Sequence, residues 1–162
     1  MKVDYKERVK VEFKKVRPGA QLPTRAHDWD AGWDAYAYSF DKGVVRDANF
    51  VNMAAGDIVV AHLGFAVSIP KGYFVQVVPR SGLALRYGLT IVNSPGTIDA
   101  GYQGEVLAIL AKFGGEHLRV KRGERICQLV LHKVTDLEWV VVDEFSTETE
   151  RGANGLGSTG RD

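Results

Sequence analysis

What most constrains this chain is the shortness of its apolar runs. In the middle of the sequence they fall at residues 58–60, 65–69, 73–78, 89–92, 106–110 and 126–131, and Gly, Pro, Asn or Asp separates most of them. Runs this short are strands rather than helices: an amphipathic helix needs three turns to present a buried stripe, whereas a strand buries a face within four residues. Residues 9–13 alternate as Val-Lys-Val-Glu-Phe, residues 31–40 are rich in aromatics around Asp34, and Trp-Val-Val-Val at 139–142 closes the series. About ten short strands at such spacing predict an all-β protein, a jelly-roll-like barrel or sandwich. One short helix is expected at 81–88, with Ser81 as its cap and Gly88 as its terminator. No repeat of fixed period is present, which excludes solenoids and propellers.

A chain of 162 residues suffices for one domain with its own core. Its net charge of +1 excludes the clustered basic excess of general nucleic-acid or anionic-membrane binding, so any anion site is local. The single cysteine, Cys127, rules out an intrachain disulfide and a Cys-based zinc site, and its apolar surroundings suit an inert buried thiol. No apolar run reaches membrane-spanning length, and the amino-terminal residues are charged throughout rather than signal-like. The expected home is a reducing cytoplasm. After Phe145 the composition turns glycine-rich and polar, which predicts a β domain over 1–145 and a flexible carboxy-terminal arm over 146–162.

Five polar segments interrupt this pattern. Residues 93–105 (Asn-Ser-Pro-Gly-Thr-Ile-Asp-Ala-Gly-Tyr-Gln-Gly-Glu) join two strand-like runs as a hairpin with a long mouth, bringing the amide of Asn93, the carboxylate of Asp99 and the phenol of Tyr102 together among glycines. Residues 30–34 carry Asp34, and residues 79–84 place Arg80, Ser81 and a helix start together, a combination suited to an anion. In residues 122–129, Gln128 breaks an apolar run. Residues 151–160 combine glycines, hydroxyls and Arg151 as a phosphate-wrapping loop would, without the Gly-Lys-Ser/Thr of a Walker A motif.

In order and chemistry these five segments resemble the five motifs of the homotrimeric dUTPase family, from about Val9 to Gly160. The resemblance implies hydrolysis of dUTP to dUMP and pyrophosphate, with dUMP available for thymidylate synthesis. It makes Asp99 the general base for a water attacking the α-phosphorus. Asn93 reads uracil, with backbone around Thr97, Ile98 and Leu107, and Tyr102 lies under the deoxyribose. Arg80, Ser81 and Gly82 hold phosphates, Gln128 meets the α-phosphate region, and Arg151, Gly157, Ser158 and Thr159 belong to an arm that closes over the triphosphate. Leu156 stands where the family usually stacks an aromatic on the base, and Gln103 where arginine is frequent. By the same resemblance Mg²⁺ is held by phosphate oxygens and water with no direct protein ligand, Asp34 acting through water or by bracing the hairpin. The assembly implied is a homotrimer whose sites draw on different subunits.

Two other readings share the fold. A dCTP deaminase carries glutamate ten residues after the position of Asp99, and here that residue is Ile109. A non-catalytic binding module would not need Asp99, Arg80, Ser81, Asn93 and Arg151 together. The four histidines match no motif and are expected to be surface or packing residues.

Overall fold

A computed structural model describes residues 8–153. Its thirteen strands are β1 (Glu12–Lys15), β2 (Gly32–Tyr36), β3 (Ser39–Lys42), β4 (Val45–Ala48), β5 (Phe50–Met53), β6 (Ile58–His62), β7 (Phe65–Ser68), β8 (Tyr73–Pro79), β9 (Leu89–Ile91), β10 (Gly96–Asp99), β11 (Leu107–Lys112), β12 (Leu118–Lys121) and β13 (Arg125–Lys133). One helix, α1 (Ser81–Tyr87), follows β8. The strands form a four-stranded sheet ordered β10-β8-β13-β2, a five-stranded sheet ordered β4-β3-β6-β11-β9, and two pairs, β1-β7 and β12-β5. This is the all-β jelly-roll architecture expected from the spacing of the apolar runs.

Alternation places the core. Val59 and Ala61 of β6, Val75 and Val77 of β8, and Ala108 and Leu110 of β11 are buried, and they join Phe40, Phe65, Ile98 and Leu129 in one cluster drawn from both large sheets. Burying each large side chain contributes about 1.5–3 kcal/mol relative to leaving it in water.

Several elements differ from the sequence reading. Residues 31–40 are two strands, because the chain changes sheets: Ala37 donates its N–H to Glu124 O at 2.9 Å and Tyr38 donates to His62 O at 2.7 Å. The first strand begins at Glu12, where its register with Ser68 of β7 begins. Strands β4, β5 and β12 lacked a long enough apolar run to announce themselves. Residues 139–142 form no strand, and Trp139 and Val141 are 87% and 97% exposed. Their composition suits a strand, but among the described residues no strand pairs with them.

The 89–110 hairpin is present, with Ile91 opposite Leu110. Its mouth is not loop throughout. Residues of β10 cross to the other large sheet and pair with β8, Gly96 opposite Val77 and Asp99 opposite Phe74.

Helix α1 ends as expected at Gly88, which is left-handed (φ 61°) and donates its N–H back to Ala84 O at 3.0 Å. Its carbonyl accepts the N–H of Phe113 at 2.7 Å, and the buried Lys112 donates its ammonium to Tyr87 O at 3.0 Å. The carboxy-terminal carbonyls of the helix are thus satisfied by β11 and the turn after it. A Cβ at position 88 would sit 1.8 Å from Phe113 O. Gly88→Ala is therefore expected to cost more than about 2 kcal/mol, from left-handed strain and the displaced β11 turn, measured as a lower midpoint in urea unfolding.

Candidate active site

The first polar cluster is built around a buried carboxylate. Asp34, 6% exposed, lies on β2 directly opposite Gln128 of β13. On its other side its backbone exchanges hydrogen bonds with Thr24, at 2.7 and 3.0 Å. Its side chain accepts Arg80 Nε at 3.0 Å, Arg80 Nη2 at 3.2 Å, Arg125 Nη1 at 3.0 Å and Gln128 Nε2 at 3.2 Å. A buried carboxylate is tolerated when cations and hydrogen bonds replace its lost hydration, and here two guanidiniums do so. The pair with Arg80 is bidentate, the geometry that fixes a guanidinium plane.

Local backbone makes these contacts possible. Arg125 and Gln128 are three residues apart, so ideal alternation would put them on opposite faces. A register shift between Arg125 and Cys127 sets Arg125 opposite Tyr36, on the face that Asp34 and Gln128 share. Gly32 supplies the space: a Cβ there would lie 3.1 Å from the Gln128 amide. Beneath, Cys127 is fully buried, and burial pushes its thiol up to about 12, which removes it from nucleophilic chemistry.

Arg80 also precedes α1. Its backbone is extended (φ −90°, ψ 124°), and its carbonyl accepts the N–H groups of Leu83 and Ala84, both at 3.0 Å. The cap position is therefore Arg80, whose side chain makes no cap bond, and not Ser81, which is the first helical residue. Arg80 donates Nη1 to Arg125 O at 3.0 Å, so three of its five donors are engaged in holding it against the sheet. Beside it opens a cleft of about 450 Å³ whose lining includes Arg80, Arg119, Arg125, Tyr36 and Tyr87.

The second cluster is the 93–105 connection. Ile98 is buried in the core while Thr97 and Asp99, flanking it on β10, are exposed. The Asn93 amide lies over Gly96, where a Cβ would meet its nitrogen at 3.1 Å. Past Asp99 the chain turns, Tyr102 donating its N–H to Asp99 O at 3.0 Å. The Tyr102 ring, 45% exposed, folds back over Gly104, and its hydroxyl donates to Glu105 O at 2.9 Å. A Cβ on Gly104 would come within 2.5 Å of that hydroxyl. Leu107 begins the second arm, opposite His62.

The two clusters do not meet within one chain. Both lie along β8, but Asp99 is level with Phe74, Gln128 with Val78, and Arg80 lies beyond. At the ordinary strand rise, four residues separate Asp99 from the Gln128 level by about 13 Å.

Of the arm, Arg151 lies in an exposed turn in which Gly152 donates its N–H to Thr149 O at 3.0 Å. Leu156, Gly157, Ser158 and Thr159 lie outside the described residues. Among the described residues no group of three or more His, Cys, Asp or Glu side chains is arranged to hold a metal, and no helix is long and apolar enough to cross a membrane. Arg125 and Gly32 were missed as site residues, although both stand in the segments singled out; the bulge that brings Arg125 to Asp34 leaves no mark in the apolar pattern. His62 departs from the surface-or-packing expectation, lying between Asp41 Oδ2 at 3.3 Å and Glu105 Oε2 at 3.0 Å.

The chain is thus a β jelly roll with an arginine-bound carboxylate toward one end of β8 and a polar, glycine-rich connection toward the other. The dUTPase family profile matches residues 19–160, and the chain belongs to that family. It is 42% identical over 153 residues to the deoxyuridine 5'-triphosphate nucleotidohydrolase of Thermobifida fusca, covering 94% of this chain and 79% of that one. With the Desulfotalea psychrophila enzyme of the same name it shares 54% identity over 124 residues, 76% of this chain and 81% of the relative. The Staphylococcus bacteriophage 80alpha dUTPase solved with dUpNHpp superposes with a TM-score of 0.75 at 30% identity, over 93% of this chain and 98% of the phage protein. The activity is that of a dUTP diphosphatase.

If Asp34 is the brace of the first cluster, Asp34→Asn, which keeps the shape but removes the charge facing two arginines, should lower stability by about 2 kcal/mol. Urea unfolding at neutral pH measures this.

Proposed function

We propose that dUTP is cleaved between its α- and β-phosphates by a water that Asp99 deprotonates, in sites completed between subunits of a homotrimer. The water oxygen bonds to the α-phosphorus as the α–β bridging bond breaks. Pyrophosphate leaves, dUMP remains, and the proton passes to the Asp99 carboxylate and then to solvent. An exposed carboxylate at the end of a strand is free to hold such a water within hydrogen-bond reach. Asn93, with the main chain of Thr97, Ile98 and Leu107, reads uracil, and Tyr102 packs under the deoxyribose where a 2′-hydroxyl would collide.

Arg80, Ser81, Gly82 and Gln128 grip the phosphates. Asp34 aims that grip: its oxygens take four hydrogen bonds from Arg80, Arg125 and Gln128, so it braces the phosphate motif rather than the hairpin. Such a donor set, without a carboxylate cage, fits an Mg²⁺ carried by the triphosphate and water, and the bound ion would neutralise charge on the phosphates. The glycine-rich composition of residues 146–162 suits a separate arm in which Arg151, Leu156, Gly157, Ser158 and Thr159 would close over the nucleotide, Leu156 offering the base an apolar contact alone.

The observation that carries the shared site is the partition along β8. Gln128 and Asp99 are both assigned to the α-phosphate region, yet about 13 Å of strand lies between their levels, so one substrate needs Asp99 from one chain and Gln128 from another. The uncovered apolar surface agrees: Leu85 of α1 is 88% exposed, and Trp139, Val141 and Phe145 are also left bare.

Asp99→Asn should keep affinity for a non-hydrolysable dUTP analogue and lose at least about 100-fold in turnover, read as pyrophosphate release. Mixed and allowed to exchange subunits, inactive Asp99→Asn and Arg80→Ala proteins should regain part of the lost activity; no recovery despite exchange sinks the shared site. Deleting residues after Phe145 should leave a body that melts cooperatively but lose most turnover on dUTP, whereas normal hydrolysis would leave the arm without a catalytic role. Across dUTP, dCTP, dTTP and UTP, only dUTP should be cleaved efficiently.

A further inference from the structure

The side chain of Glu105 is the least expected feature of the catalytic connection. It is 15% exposed and points away from the mouth, into the turn between β6 and β7. One oxygen accepts Arg17 Nε at 2.9 Å and the N–H of Gly64 at 3.0 Å. The other accepts Arg17 Nη2 at 3.1 Å and lies 3.0 Å from His62 Nδ1. The Arg17–Glu105 contact is bidentate and partly sheltered, the arrangement in which an ion pair fixes geometry as well as charge. It also holds Arg17 above its ordinary pKa, the Glu105 hydrogen bond being the largest cause.

The clamp extends further. Arg17 pairs with Asp47, and His62 Nε2 faces Asp41 Oδ2 at 3.3 Å. Ser39 donates to Asp47 at 2.6 Å. The β3–β4 hairpin is thereby fastened to the same point.

Glu105 is also where Tyr102 is anchored. The Tyr102 hydroxyl donates to the backbone carbonyl of Glu105 at 2.9 Å, and the missing Cβ of Gly104 is what lets the ring lie there. A tyrosine nearly half exposed has few other restraints on its ring. The side chain of residue 105 is held by β6, β7 and Arg17, and its carbonyl holds the ring.

We propose that Glu105 is a positioning residue for sugar selection: clamped by Arg17, His62 and the Gly64 N–H, it fixes the carbonyl that sets the Tyr102 ring, and so the height of the floor under the deoxyribose. This rests on the assignment of Tyr102 to the sugar. The Glu105 side chain is spent on Arg17, His62 and the Gly64 N–H, so its role is to position and not to react. A rigid floor rejects a 2′-hydroxyl by collision, and a floor free to drop by a fraction of an ångström admits it.

The test measures kcat and KM for dUTP and for UTP in the full chain, with a thermal melt as the control for folding. Glu105→Gln should raise the dUTP KM several-fold more than it lowers kcat, and narrow the dUTP-over-UTP preference about tenfold. Tyr102→Phe keeps the ring and removes the anchor, so it should narrow the preference similarly, and the double variant should add little to either single one. Arg17→Gln removes both guanidinium bonds to Glu105 together with those to Asp47 and His62, and leaves the carboxylate; it should narrow the preference in the same direction, and it carries the test if Glu105→Gln does not fold. Additive effects of Glu105→Gln and Tyr102→Phe, or an unchanged preference in folded Glu105→Gln and Arg17→Gln, overturn the proposal. Tyr102→Ala separates the two levels. If it leaves the preference unchanged, the sugar assignment itself is wrong and the proposal falls with it; if it abolishes the preference while the clamp variants do not, only the clamp is wrong.

Discussion

The end of the four-stranded sheet where β8 runs into α1 depends on one buried carboxylate. Asp34 draws together Arg80, Arg125 and Gln128, which the sequence places in two distant segments. An unpaired charge at that depth would cost several kcal/mol, so the central sheet is folded correctly only when β2, β13 and the end of β8 are in the register that supplies both guanidiniums. The bulge in β13 and the bare Cα of Gly32 are consequences of that demand: one brings Arg125 to the proper face, the other clears space for Gln128. A group that binds phosphate must hold its donors ready before the anion arrives, and a carboxylate behind two arginines does so without filling the site.

The other end of β8 follows a different logic. There β10 leaves the hairpin to join the opposite sheet, and crossing between sheets exposes Asp99 while Ile98 anchors the strand in the core. Backbone and glycines, rather than ion pairs, shape this mouth; its one strong electrostatic tie, Glu105 to Arg17, lies behind it. Selecting a base calls for rigid main chain at close approach, whereas holding a triphosphate calls for cations. The fold keeps these demands apart on one strand, and in the proposed trimer neighbouring chains bring them together.

Much of the candidate site is legible in the sequence because its residues are local. Asn93, Asp99 and Tyr102 fall within one short connection, and Arg80 with Ser81 opens the only helix among the described residues. Elements whose identity depends on partners were not legible. Residues 31–40 alternate without a break, yet Ala37 and Tyr38 carry the chain from one sheet to the other, since a period of two records which face is buried and not which strand is paired. Strands β4, β5 and β12 form because neighbours complete them. Residues 139–142 have the composition of a strand and lie exposed, for the converse reason. Ser81 has the composition of a cap, but the Arg80 carbonyl takes the first helical hydrogen bonds, which sets the boundary one residue earlier.

Apolar periodicity and residue type are local properties of a chain, so the class of fold, the polar interruptions and the chemistry each offers are written in the order of the residues. The folded chain adds that Asp34 is spent on Arg80, Arg125 and Gln128, that Arg125 is on their face at all, and that four residues of β8 separate the level of Asp99 from that of Gln128. Strand register and sheet crossing are set by which segments lie side by side, and no stretch of sequence contains its own neighbour.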